Sequence, residues 1–373
     1  MKTAKVSDIL GIINKIAPAD LAESWDNPGL QVGDPAAPVS AIMVALDATP
    51  AVIESALLSG CQLLVTHHPL IFKLQKSIST ATAQGRLMYA AIRGGLGIIS
   101  MHTNYDIARG GLNDVLAERL GLEGSAPLQV TSTQELVKLV VFVPDGHLEQ
   151  LRTALFPHIE SLGAYRDCSF AAPGEGTFTP REGAAPFIGS VGSRETVREY
   201  RLELLVDRAR LSRAVKALVA AHPYEEPAFD IYPLHNEGCV LGLGRIASLP
   251  EATTLTEYAA LTAERLCAPG TRFVGDPAAT VRKVALCSGS GTSVMRSAAR
   301  SGADVLVTGD VKYHDARDAE DLGIALIDAG HFRTEIIMTV AVRDMLLQKL
   351  SDAGFDACRV IACDVENDPF RYV

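Results

Sequence analysis

Hydrophobic positions along the first hundred residues follow two rhythms in turn. Ile9, Ile12, Ile13 and Ile16 fall at helical spacing behind Ser7, which predicts a helix ending before Pro18. Strands are predicted over 30–32, 40–46, 62–65 and 96–101, where apolar residues run with few polar breaks. Helices are predicted between them, over 50–59 with a stop at Gly60, and over 82–93 closed by Gly94-Gly95. Strands alternating with helices in this way predict a mostly parallel, doubly wound α/β sheet.

The last third of the chain repeats the plan. Ala45-Leu46-Asp47, Ser59-Gly60 and Leu63-Leu64-Val65-Thr66 have counterparts in Ala285-Leu286-Cys287, Ser301-Gly302 and Val305-Leu306-Val307-Thr308. Leu96-Gly97-Ile98 is matched by Leu322-Gly323-Ile324. Where the first copy has His67-His68, the second has Gly309-Asp310. Two repeat-related α/β halves, 1–128 and 237–373, are therefore expected to form the core.

The splice between them, 129–236, reads differently. It predicts a strand over 136–144, a helix over 146–157, strands near 164–172 and over 199–206, a helix over 208–221 and a strand over 228–234. That order, βαββαβ, is the ferredoxin-like α+β arrangement. The Gly/Pro-rich stretch between its two middle strands reads as a hairpin extension. His222-Pro223-Tyr224-Glu225-Glu226-Pro227 fits a packed corner, with a ligand site as the alternative.

Composition narrows the function class. With 373 residues, 48% hydrophobic and 21% charged, the chain is long enough for two or three globular domains. A net charge of −10 argues against nucleic acid as a partner, because a general binder needs a basic face. No run reaches the roughly 18 apolar residues of a membrane span, and the N-terminus lacks a signal-peptide pattern. Seven scattered cysteines without a C-x-x-C pair fit a reducing, cytoplasmic setting and argue against a thiolate zinc site.

Chemistry enters at the strand ends, where open α/β sheets gather their ligands. Adjacent side chains on an extended chain point to opposite sides. His67 and His68 therefore suit two ions side by side, or one ion and a structural hydrogen bond; taken alone, the pair reads first as a capped strand end with two surface histidines. Gly330, followed by apolar residues at helical spacing, places His331 and Glu335 in the first turns of a helix, on one face at i and i+4. Asp106 closes the polar strand end His102-Thr103-Asn104-Tyr105-Asp106. His67, His68, Asp106, His331 and Glu335 make five nitrogen and oxygen ligands, one able to bridge, which suits two divalent cations per subunit. Zn, Fe, Mn and Co fit such donors alike. His102 is outside that set, a catalytic candidate that either steadies the site or relays protons. Asp47, Asp310, His314 and Asp328 are further strand-end residues that read as caps or cleft walls.

The chain resembles the NIF-three-like proteins, dinuclear-metal ring hexamers often labelled GTP cyclohydrolase 1 type 2. The resemblance rests on Trp25-Asp26-Asn27-Pro28-Gly29-Leu30-Gln31-Val32-Gly33, Val65-Thr66-His67-His68-Pro69-Leu70, His102-Thr103-Asn104-Tyr105-Asp106 and Gly330-His331-Phe332-Arg333-Thr334-Glu335. It implies metal ligands at the same five positions, a homohexamer, and a middle segment similar to the insert of longer family members. The expected function is a dinuclear metal-dependent hydrolase in which a metal-bound hydroxide attacks a nucleotide or related small substrate. A phosphoesterase on the same metals, or a non-enzymatic metal- or nucleotide-responsive regulator, are the alternatives.

Overall fold

The short apolar runs of the first hundred residues become the middle of a five-stranded sheet. In this computed structural model, which describes residues 2–372, the strand order is Arg359–Ala362, Ala41–Ala45, Leu63–Thr66, Gly97–Ser100, Gly29–Val32. The first four run parallel and Gly29–Val32 closes the edge antiparallel. The three inner strands are buried along their whole length because both faces are covered. Ile42, Val44, Leu63 and Val65 share a core with residues of helices Val6–Ile16 and Met338–Asp352. Met43, Ala45 and Leu64 share another with helices Pro50–Leu58 and Ala83–Gly94. Two covered faces are the reason these strands carry no apolar–polar alternation.

A six-stranded sheet follows the order Arg272–Val274, Ala325–Asp328, Val305–Thr308, Thr280–Leu286, Val240–Thr254, Ala126–Thr133. Its parallel trio, Thr280–Leu286, Val305–Thr308 and Ala325–Asp328, alternates with helices Met295–Arg300 and Tyr313–Leu322. The protein is thus a mixed α/β fold. Four strands of these two sheets are additional to those the sequence pattern predicts: Arg272–Val274, Ala126–Thr133, Val240–Thr254 and Arg359–Ala362. The last completes the first sheet from the far end of the chain, beside Ala41–Ala45. No helix among the described residues is long and apolar enough to cross a membrane.

The chain divides into two compact units, Met1–Ser132 with Leu241–Val373, and Thr133–Val240. The second runs Leu136–Pro144, helix Leu148–Leu155, Ser169–Phe178, Glu195–Asp207, helix Leu211–Ala221, Phe229–Pro233. Its antiparallel sheet has the order Phe229–Pro233, Leu136–Pro144, Glu195–Asp207, Ser169–Phe178. Leu139, Val141, Leu202 and Leu204 pack on one face with Leu151, Leu155, Ala214 and Leu218 of the two helices. The strand expected near 164–172 is displaced: it begins at Ser169 and continues through Pro173, Gly174 and Gly176 to Phe178. Pairing with Glu195–Asp207 along its whole length outweighs the breakers, and an edge strand tolerates a proline that a central one would not.

One buried charge ties the first unit together. Arg245 is 3% exposed, bonds both carboxylate oxygens of Asp114, and donates to the carbonyls of Ala108, Gly242 and Gly244. Asp114→Ala would leave that guanidinium buried without its counter-charge. The expected loss is about 3 kcal/mol of unfolding free energy, read by urea denaturation. An unchanged midpoint would mean that the three carbonyls suffice.

Candidate metal centre

Three strand ends and two short helices bring the polar residues together inside the first unit. The strand Leu63–Thr66 is followed at once by His67 and His68. Strand Gly97–Ser100 leads through Met101 and His102 into helix Thr103–Ile107, which carries Asp106. Strand Ala325–Asp328 leads through Gly330 into helix His331–Glu335, whose two end residues face the others. Asp106 therefore sits one helical turn beyond its strand rather than at the strand end.

Each of four imidazoles is held from behind. Nδ1–H of His67 donates to the Met101 carbonyl at 2.8 Å. Those of His68, His102 and His331 donate to Asp47 at 2.9 Å, Asp26 at 2.8 Å and Asp310 at 2.8 Å. Such contacts fix the tautomer that leaves Nε2 with a lone pair. Nε2 of His67 stands 3.7 Å from Asp106 Oδ1 and 3.7 Å from Glu335 Oε1. Nε2 of His68 and of His331 are 3.4 Å apart, and 3.1 and 3.0 Å from Glu335 Oε2. Ligand atoms of His68, His331 and Glu335 lie within 4.8 Å of one another, as do those of His67, His68 and His102.

The donors fit a cation. His67 Nε2 and Glu335 Oε2 are buried polar atoms without a hydrogen-bond partner. With the proton on Nδ1, the imidazoles turn lone pairs rather than N–H groups towards the carboxylate. Buried polar groups are otherwise nearly always paired. A positive ion among them would satisfy both, and the three imidazole nitrogens of His67, His68 and His331 with two carboxylate donors suit a borderline divalent metal.

In the ion-free state protons take its place. Burial disfavours the His68 imidazolium, but Asp47 and Glu335 outweigh it and raise the group to about 10. His331 rises to about 9 against the same burial, through Glu335 and Asp310. His67 is also raised, by Asp106 and Glu335 against burial. Burial pushes Glu335 up, yet the His67 charge and the other facing imidazoles hold it well below the usual carboxylate range. Asp106 goes the other way, raised first by burial, with the nearby Glu335 charge adding to it.

The second repeat makes room instead of supplying ligands at this position. A Cβ on Gly309, the counterpart of His67, would lie 2.6 Å from the backbone nitrogen of His331. A histidine there would collide with the helix that carries His331 and Glu335. The next residue, Asp310, adopts φ 56°, which turns its carboxylate to His331. Gly289 at φ +58° is equally constrained, since a Cβ there would overlap Glu335 Oε1 and stand 3.2 Å from His331 Nε2. Its N–H donates to Thr334 Oγ1. Ser288 Oγ donates to Asp106 Oδ1 at 3.3 Å, and the Asn113 amide holds the Asp106 carbonyl.

The structure places all five expected ligands in one cluster and brings His102 into it. Asp47 and Asp310 face imidazoles. Asp328 does not reach the cluster and instead accepts from Arg272 and from the amides of Val311 and Gly330. The ring of His314 meets Tyr313 edge-on. Asp26 belongs to the site as well, although in the sequence it is one residue of a turn. Its side chain is fully covered; burial raises it, but hydrogen bonds from His102 and Thr103 prevail and hold it at about 2. Its signal in the sequence is its place in the Trp25-to-Gly33 stretch on which the resemblance rests, whose Trp25 lies edge-on to His102 at 5.9 Å. Phe72 stands 5.7 Å from Trp25 and 6.4 Å from His102, and both rings are half exposed.

Comparison with known proteins agrees over the full length. The family model described as Duf34/NIF3 (NGG1p interacting factor 3) matches residues 4–369. The chain is 42% identical over 374 residues to a Halalkalibacterium halodurans protein named GTP cyclohydrolase 1 type 2 homolog, with 100% of each chain covered. A Bacillus subtilis protein of the same name is 38% identical over 373 residues, again with 100% of each covered. The crystal structure of a Bacillus cereus protein related to NIF3 superposes with a TM-score of 0.90 at 39% identity, covering 100% of both chains.

Proposed function

This chain belongs to the Duf34/NIF3 (NGG1p interacting factor 3) family, and from that premise we propose that it is a metal-dependent hydrolase acting on a nucleotide or a related small substrate. The observation that carries the reading is the convergence of four imidazoles, each anchored from behind, on two buried carboxylates, with His67 Nε2 and Glu335 Oε2 unpaired. Two cations would be held. Glu335 offers Oε1 towards His67 and Oε2 towards His68 and His331, so its carboxylate would be shared. Asp106 adds a ligand on the His67 side.

Divalent cations held there would supply Lewis acidity, bringing water close to ionisation near neutral pH and offsetting negative charge that develops on the substrate. The chain's own residues do the rest. Asp47 and Asp310 keep Nε2 of His68 and His331 directed inward. His102, anchored by Asp26, would hold or pass a proton at Nε2 beside His67 and His68. Trp25 and Phe72 offer exposed aromatic faces next to His102, suited to stacking a planar base. The name carried by the relatives supports a guanine nucleotide as that substrate. For the second unit, the order βαββαβ and the all-antiparallel sheet support a ferredoxin-like domain.

The test joins elemental analysis of protein purified without added metal to turnover of a nucleotide panel, with and without Mn²⁺ or Zn²⁺. Expected are about two ions per chain and metal-dependent turnover of a guanine nucleotide. Full metal loading with no turnover of any nucleotide would reject the hydrolase reading.

A further inference from the structure

The second unit has a covered face and an open one. Leu202, Leu204 and Val206 of strand Glu195–Asp207 are buried in its core, so Glu199, Arg201 and Glu203 project from the opposite face. The connection from Phe178 to Glu195 folds back on itself: the Gly192 amide donates to the Pro180 carbonyl, and the Ala185 amide donates to Glu225. Phe187 in this connection meets His147 at 5.5 Å and Tyr224 at 6.3 Å between ring centroids. A cavity of about 590 Å³ lies among these residues, within the size range of small-molecule sites.

Its lining combines two kinds of group. Phe178, Phe187 and Tyr224 supply aromatic surface, both phenylalanines contacting the Tyr224 ring. Glu175, Glu199, Glu225 and Glu226 supply four carboxylates against one guanidinium, Arg201, whose charge is already paired with Glu203 at 3.2 Å. Glu199 is the best placed of the acids. The Tyr224 hydroxyl donates to its Oε1 at 3.1 Å, and its Oε2 fills the space that a Cβ on Gly176 would take. His222 serves as scaffold: its Nε2–H donates to the Phe142 carbonyl and its Nδ1 accepts the Tyr224 amide. The corner reading therefore suits His222, while the residues after it line a cavity.

We propose that this cavity is a binding site for a small organic cation with an apolar body, its charged head near Glu199 and its body against Phe178, Phe187 and Tyr224. Excess negative charge beside aromatic faces favours an ammonium group by ion pairing and by cation–π attraction together. An inorganic cation fits less well. Among the described residues, the triads of metal-ligating side chains lie at the metal centre and none lies here. The site draws on no residue of the first unit, so it stands or falls separately from the hydrolase reading.

Calorimetric titration of the full-length protein with benzyltrimethylammonium chloride tests the proposal, with 3-phenylpropionate as an anion of similar size. Saturable binding of the cation and none of the anion is expected. Glu199→Gln should weaken it about tenfold or more, the loss of the ion pair to the ammonium head, while Glu149→Gln on the surface should not. Phe187→Ala should weaken it independently, without touching a charge. Equal binding of the anion, no saturation by the cation, or full affinity in Glu199→Gln would each overturn the proposal. So would a wild-type protein that binds neither probe but whose oligomeric mass falls in Phe187→Ala, which would give the cavity to a second copy of the chain.

Discussion

Glu335→Gln is expected to empty the cluster of metal while leaving the chain folded. Among the described residues, Glu335 is the one side chain within 3.7 Å of the Nε2 atoms of His67, His68 and His331 alike. Glutamine keeps its shape but replaces one acceptor oxygen by an NH₂ group, which cannot ligate and would face imidazole nitrogens. A shared carboxylate lost in this way should lower metal content by at least about tenfold and abolish turnover with it. Plasma emission analysis after gel filtration reads the first, and far-ultraviolet dichroism checks the fold. Wild-type metal content in Glu335→Gln would sink the sharing role assigned to this residue. Retained metal with lost turnover would instead limit Glu335 to the reaction.

Stability is expected to fall with rising pH in the metal-free protein and to be nearly independent of it in the metal-loaded one. In the metal-free protein His68 and His331 titrate at about 10 and about 9, above the ordinary histidine value of about 6.5. Folding thus favours their protonated forms. The stabilisation is complete below about 6.5 and is lost as pH rises through 9 to 10. Glu335 has the reverse sign: its folded value is depressed, so its contribution is present above about 4.5 and lost as pH falls through the lower folded value. Metal competes with the imidazole protons, so its apparent affinity should climb about tenfold per pH unit for each proton displaced. Between about pH 6.5 and 9, melting temperature should fall for chelator-treated protein and stay nearly level for protein saturated with Zn²⁺, whose imidazoles carry no proton in either the metal-bound or the unfolded state. Parallel slopes would show that no proton leaves these imidazoles when metal binds.

Much of the fold is legible in the sequence because burial on two faces writes itself into composition. Ala41–Ala45, Leu63–Thr66 and Gly97–Ser100 are buried throughout, and their unbroken apolar runs reflect it. Leu136–Pro144 shows the same run, and Glu195–Asp207, buried on one face at its C-terminal end, shows the alternating pattern. Ser169–Phe178 is harder to place, because its glycines and proline argue locally for a loop and a long partner strand overrules them. Arg359–Ala362 gives no local signal, since four residues carry little pattern and their partner lies more than three hundred positions away.

The candidate site divides along the same line. Strand ends and helical spacing are enough to bring His67, His68 and the His331-Glu335 pair to notice as side chains standing beyond successive strands. The internal repeat is equally visible in the chain, and with it the difference between His67-His68 and Gly309-Asp310. What that difference means emerges in three dimensions. Gly309 is small because the backbone of His331 passes where a side chain would stand, and Asp310 turns into the left-handed region to hold the imidazole that passes. Folding likewise pairs Asp26 with His102, 76 positions apart, and fits Glu335 against Gly289. Spacing along a chain fixes which residues share an element, whereas the approach of one element to another depends on packing that no local pattern records.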